Sequence, residues 1–230
     1  MLILRFSESM ARKIRLSPGP SLPPSPEPLL DWAAHLFRCQ RYQYVIVTNT
    51  QTLFSFVCHG QGICDISSFV DIIMSTMREV FENYGFVKAF DDRLAPNARE
   101  MILTKVGDRS LTGCMNNIVG MSQFWLERDH LSPMDLQPRI NEIPINRKGV
   151  KEVIVGRNEL SRAIGIPDNT MPYWQPVVWD EQIWIAVDWS GEKRPRCSPV
   201  SKFQCNPAIP RTRRGRGGVH PAERARNSWQ

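Results

Sequence analysis

The chain has 230 residues, 42% of them apolar and 23% charged, an ordinary globular balance. That balance excludes a collagen, a coiled coil, a disulfide scaffold and full-length disorder, and a chain of this length buries enough surface to fold without staples. The formal charge of +6 is uneven: residues 191–230 carry ten Lys and Arg against two acids, and the first 190 carry nineteen against twenty-one.

Met1-Leu2-Ile3-Leu4 is apolar, but Arg5, Glu8, Arg12, Lys13 and Arg15 follow at once. The start therefore does not read as an export signal. No stretch approaches the ~20 apolar residues of a spanning helix. The expected setting is cytoplasmic, with no membrane contact. The six cysteines contain no Cys-x-x-Cys pair, and reduced thiols are the expected state. Cys58-His59 with Cys64 offers three soft ligands but no fourth at zinc-site spacing. No metal and no cofactor is implied.

Residues 2–6 read as a strand. Pro18, Pro20, Pro23, Pro24, Pro26 and Pro28 make residues 18–28 an extended connector. Pro20-Ser21-Leu22-Pro23 matches the PxxP spacing, but a stiff connector is the reading taken. Leu29, Trp32, Ala33, Leu36 and Phe37 recur at helical spacing, which predicts a helix over 28–39. Residues 43–48 and 52–57 are rich in β-branched and aromatic side chains and predict a hairpin turning at Asn49-Thr50-Gln51.

Phe69, Ile73, Met77, Val80 and Tyr84 form one apolar stripe, predicting a helix over 67–84 with Ser68 and Asp71 at its start and Gly85 at its end. Asp91-Asp92 and Pro96-Asn97 mark a loop before a strand at 100–106. Residues 110–128 predict a second long helix. Leu111, Met115, Ile118, Ser122, Trp125 and Leu126 line one side. Gly113, Asn117, Gly120 and Phe124 line the other, with Asn116 beside them. Two glycines inside a helix are costly, so a close neighbour or a ligand is expected beside them. Ser132-Pro133 opens a third helix, limited by Pro138. Further on, a strand at 151–155, a short helix at 157–165 ending on Gly165 and a tryptophan-rich hairpin at 176–189 are expected. The hairpin's Trp174, Trp179, Trp184 and Trp189 are read as core cover and not as a ligand cage. Beyond Gly191 the composition predicts disorder.

Three segments together carry a resemblance: the opening Met1-Leu2-Ile3-Leu4-Arg5, then Asp31-Trp32-Ala33-Ala34-His35-Leu36, then Arg109-Ser110-Leu111-Thr112-Gly113-Cys114-Met115-Asn116-Asn117. In order and spacing they resemble a prokaryotic family, domain of unknown function 6933, over residues of about 1–145. Family members often carry Ser where Cys114 stands and Asp where Asn117 stands. The resemblance implies a compact α+β domain and no particular activity.

Asp31, His35, Arg109, Ser110, Gly113, Asn116 and Asn117 form the candidate pocket. On a helix Asp31 and His35 would share one side, and the acid would raise the histidine pKa. Ser110 stands where a helix begins, and amides there with Arg109 could hold a small anion. The simpler reading makes Ser110 an N-cap and pairs Arg109 with an acid such as Asp108. No nucleophile elbow or phosphate loop supports catalysis. Residues 159–174 resemble a degenerate helix-turn-helix, with Arg162 and Thr170 as contacts, but Pro172 would break its second helix. Arg211, Arg213, Arg214 and Arg216 resemble an arginine-glycine arm for nucleic acid.

The expected architecture is α+β: a mixed or antiparallel sheet with helices packed on one face, a C-terminal hairpin segment and a disordered tail. The expected division is 1–145, 146–190 and 191–230. The leading functional expectation is a non-enzymatic interaction or regulatory protein with a protein partner. The alternatives are a nucleic-acid binder and a small-anion binder or enzyme.

Overall fold

The computed structural model describes residues 1–166. The expected hairpin at 176–189, the second half of the helix-turn-helix and the basic tail lie outside the described residues.

Strand β1 (Leu2–Phe6) alternates: Leu2, Leu4 and Phe6 enter one core while Ile3 and Arg5 face the opposite side. Ser7 caps helix α1 (Glu8–Lys13), its hydroxyl accepting from the Met10 amide at 3.3 Å. The proline-rich segment, here called the strap, then crosses to a single 3-10 turn at Pro28–Leu30. Strand β2 (Asp31–Cys39) follows, where the apolar spacing predicts a helix. The reason is its place in the sheet. β2 lies between β1 and β3 (Tyr42–Asn49), and both of its faces are covered. Such a strand reads as a continuous apolar run, whose spacing also fits a helix. A tight turn at Gln40-Arg41, with Gln40 at φ +52°, joins β2 to β3.

Strand β4 (Ser55–His59) closes the expected hairpin with β3. Helix α2 (Ile66–Asn83) matches the predicted stripe, but its cap is Asp65. The Asp65 carboxylate accepts from the Ser68 amide at 2.8 Å, and the Ser68 hydroxyl receives the Asp65 amide at 3.1 Å. Gly85 follows at φ +73°, where a left-handed residue ends a helix. The expected loop around Asp91 and Pro96 is helical instead: α3 (Val87–Ala89), a wide turn at Phe90–Leu94 and α4 (Ala95–Asn97) run on. Phe86, Phe90 and Leu94 are buried at intervals of four, the signal missed there. Strand β5 (Met101–Lys105) stands as predicted.

Helix α5 (Arg109–Arg128) is followed by α6 (Pro133–Asn141), which runs through Pro138 instead of stopping there. Strands β6 (Pro144–Ile145) and β7 (Ile154–Val155) form a short separate ladder. Helix α7 (Gly156–Ile164) ends at Gly165 with φ +79°, as expected.

The main sheet has the order β4-β3-β2-β1-β5. β1 is parallel to β2 and β5, and β3 is antiparallel to β2 and β4. The α+β class and the mixed sheet stand. Helices on a single face do not, because strand alternation divides the core in two. Trp32, Ala34, Val45, Val47 and Phe56 meet Phe69, Ile73, Met77 and Phe81 of α2. Ala33, Phe37, Ile46 and Val57, from the opposite face, meet Leu111, Met115 and Ile118 of α5 and Leu136 and Ile140 of α6.

Both sheet edges are partly covered. On β4, two carboxamides from α6 stand in for a missing strand. Asn141 exchanges bonds with the Ser55 amide (2.7 Å) and carbonyl (2.8 Å). Gln137 does the same with the Val57 amide (3.1 Å) and carbonyl (2.9 Å). Spacing four on a helix matches spacing two on a strand, since both advance about 6 Å. This docking holds α6 where Pro138 removes a ladder bond. On β5, Gly19 of the strap bridges the edge: its amide donates to Leu103 O at 3.0 Å and its carbonyl accepts from the Lys105 amide at 3.1 Å.

Candidate functional site

Arg5 and Asp31 lie on the sheet face that α5 covers, because the parallel register sets Ile3 opposite Asp31 and Arg5 opposite Ala33. Both are buried, with Asp31 at 0% exposure. A buried ion pair persists only when its remaining donors and lone pairs are satisfied. Here they are. Arg5 Nε and Nη2 donate to the two Asp31 oxygens at 2.6 and 2.8 Å, a bidentate fork. Nη1 donates to the strap carbonyl of Leu22, and Nη2 also to that of Pro23, each at 2.7 Å. Asp31 also accepts the Ser25 amide at 2.9 Å.

Beside this clamp α5 begins. Asp108 caps it, accepting from the Ser110 amide at 2.7 Å. Its other oxygen receives Arg147 Nη2 at 2.7 Å, and Arg147 Nη1 donates to Thr50 O at 2.6 Å. Partial burial opposes ionisation of Asp108, but the hydrogen bonds from Arg147 and from the helix amides outweigh it and hold the carboxyl below its ordinary value. Removing the cap with Asp108→Ala should cost about 1–2 kcal/mol at neutral pH. Because the folded carboxyl is depressed, this contribution is full above the unfolded pKa of about 4 and drains away as pH falls through the folded value. Urea midpoints across the acid range check it, and a difference between parent and variant that ignores pH contradicts it.

Between the two ion pairs lies a cavity of about 70 Å³, lined by Arg5, Asp31, Thr50, Asp108, Leu111 and Arg147 among others. Thr50 Oγ1 is buried and has no hydrogen-bond partner among the described residues. The volume suits a few water molecules.

The structure brings Asp31 and the start of α5 to this cavity, but through Asp108 and Leu111. Arg109 is exposed on the first residue of α5, and Arg147 takes the cationic place. Ser110 is not the cap; its amide is the capped group. His35 sits on β2 opposite Ile46. In a strand it shares a face with Asp31, yet about 13 Å of chain separates them. Burial lowers its pKa, the reverse of the expected acid-driven rise.

Gly113, Asn116 and Asn117 face outward on α5. A Cβ at Gly113 or Gly120 would meet nothing within 4 Å, so no close neighbour accounts for either glycine. Gly113→Ala and Gly120→Ala should each stabilise the fold by up to about 1 kcal/mol. A lowered melting temperature for either would contradict this.

Cys58 is buried with its thiol pushed up to about 12, and Cys64 is exposed. Among the described residues no group of three His, Cys, Asp or Glu is placed to hold a metal ion. Arg162 pairs with Glu159 on α7. Thr170, Arg211, Arg213, Arg214 and Arg216 lie outside the described residues. Among those described, no helix is long and apolar enough to cross a membrane.

Sequence reasoning missed Arg5, Thr50, Asp108 and Arg147. Arg5 had a signal, a charge within an alternating apolar strand. Asp108 had one in the Asp-x-Ser spacing before a helix. Thr50 and Arg147 had none.

An α+β domain on a mixed sheet, covered on both faces and partly on both edges, is the class that fold and site define. A family model described as Domain of unknown function (DUF6933) matches residues 3–155. The chain belongs to that family. No curated protein and no solved structure matches it.

Proposed function

We propose that this is a non-enzymatic interaction protein. One observation carries the reading: the charged groups that converge at the start of α5 are satisfied by each other. Asp31 is held by Arg5, and Asp108 by the helix amides and Arg147. The helix N-terminus attracts anions, and here the chain's own carboxylate fills that place. A catalytic pocket keeps a base or nucleophile free to meet substrate, and the cavity of about 70 Å³ has room for a few water molecules or a small ion. The outward face of α5, with Phe124 and Met121 exposed beside Gly120, and the exposed strap are the surfaces such a protein would offer.

The test is fractionation by size of a native lysate containing the tagged chain. The reading predicts elution well above the 26.4 kDa of one chain, with the same companion in repeated preparations. Elution as a lone monomer in every preparation contradicts it.

A further inference from the structure

We infer that the strap is a preformed polyproline ligand, displayed for a partner whose groove is lined with aromatic side chains. The inference rests on the interaction reading above and names the partner class.

Pro20, Pro23 and Pro26 recur every three residues, and all three are exposed. Residues 20–25 adopt neither helix nor strand, and each proline fixes φ near the polyproline II value. That helix has three residues per turn, so within it Pro20 and Pro23 share one edge, one turn apart, and Pro26 follows at the bend that ends the run. Their period and exposure are what aromatic grooves of the SH3, WW and EVH1 type recognise. The opposite side of the strap faces the protein, where Ser25 is buried and Gly19 is pinned to β5.

The strap is fixed from beneath at nearly every step. Thr104 Oγ1 donates to Pro20 O. Arg5 holds the carbonyls of Leu22 and Pro23, Asp31 the Ser25 amide, Gln51 the Ser25 carbonyl at 2.6 Å, and Arg93 the Glu27 carboxylate. At Gly107 an added Cβ would lie 2.1 Å from Ser21 Oγ, so the strap seats closely on the chain ahead of α5. A connector needs only its ends held. This one is bonded along its length while residues 20–24 stay exposed, and ordering ahead of binding removes an entropic cost that a free peptide bears.

The test uses the full chain immobilised on a sensor surface and a panel of purified SH3, WW and EVH1 domains as probes. At least one domain should bind the full chain about tenfold more tightly than it binds a free peptide of residues 17–28. The double variant Pro20→Ala/Pro23→Ala should lose that binding while keeping the parent's circular dichroism, and Pro26→Ala should weaken it. No binding by the whole panel, equal affinity for chain and peptide, or full binding by the double variant overturns the inference. The same double variant separates this inference from the broader reading. A native complex that survives it overturns the strap as docking site and leaves the interaction reading standing, and loss of the complex supports both.

Discussion

Replacing Arg5 with methionine should cost about 3–5 kcal/mol, because it leaves the Asp31 carboxylate buried and uncompensated. The reason lies in how completely the pair is wired. Asp31 is fully buried, and two of its three hydrogen bonds come from Arg5. Methionine supplies neither charge nor donors, and the carbonyls of Leu22 and Pro23 lose their partner as well. The companion variant Asp31→Leu should be similarly damaging, since it strands a guanidinium. The double variant should be less damaging than the two losses added, because no unpaired charge remains. Urea denaturation of the four proteins measures this coupling. Strict additivity would mean that the fork contributes nothing as a pair. The strap should report locally too: in Arg5→Met, the Ser25 amide should exchange with solvent faster than in the parent.

Asn141→Ala is the second large effect. It leaves the Ser55 amide and carbonyl, both buried, without partners on the β4 edge. Each orphaned buried group costs about 1–3 kcal/mol, so the expected loss for the two is about 2–6 kcal/mol. Gln137→Ala should behave alike at Val57. Losing both would also expose an unpaired strand edge, a site for aggregation. The α6 helix should respond more than an ordinary surface helix, because Pro138 has already weakened its own ladder. Hydrogen exchange at the Ser55 and Val57 amides reads the ladder directly. A variant within about 0.5 kcal/mol of the parent, the range of ordinary surface changes, would mean that the carboxamides do not act as a surrogate strand.

What was legible in the sequence was whatever one local pattern determines. The α2 stripe, the α5 stripe, the β3–β4 hairpin and the Gly165 stop each depend on neighbours within a few residues. β2 failed because its burial on both faces comes from β1 and β3, and a residue list does not say which strands flank which. The same ignorance put helices on one face. Placing α2 and α5 on opposite sides requires the alternation of a strand whose apolar spacing also fits a helix.

The candidate site divides the same way. Asp31 and the start of α5 were singled out from local chemistry, and they do line one cavity. Arg147 comes from beyond α6, and its arrival beside Asp108 depends on the whole path of the chain. Asn116, Asn117 and Gly113 share the α5 motif with the cavity's first turn but point to solvent. Proximity in sequence joined them to the pocket, and helical rotation parted them.

The central claim is that the charged groups meeting at the start of α5 are satisfied from within. Titrating inorganic phosphate, and separately acetate, into isotope-labelled full-length chain tests it most directly, with the amide signals of Thr50, Gly107, Ser110 and Leu111 as readout. The account predicts that these four signals stay in place through millimolar additions of either anion. A saturable movement of all four, abolished by Arg147→Ala, would contradict it and make the cavity an anion site.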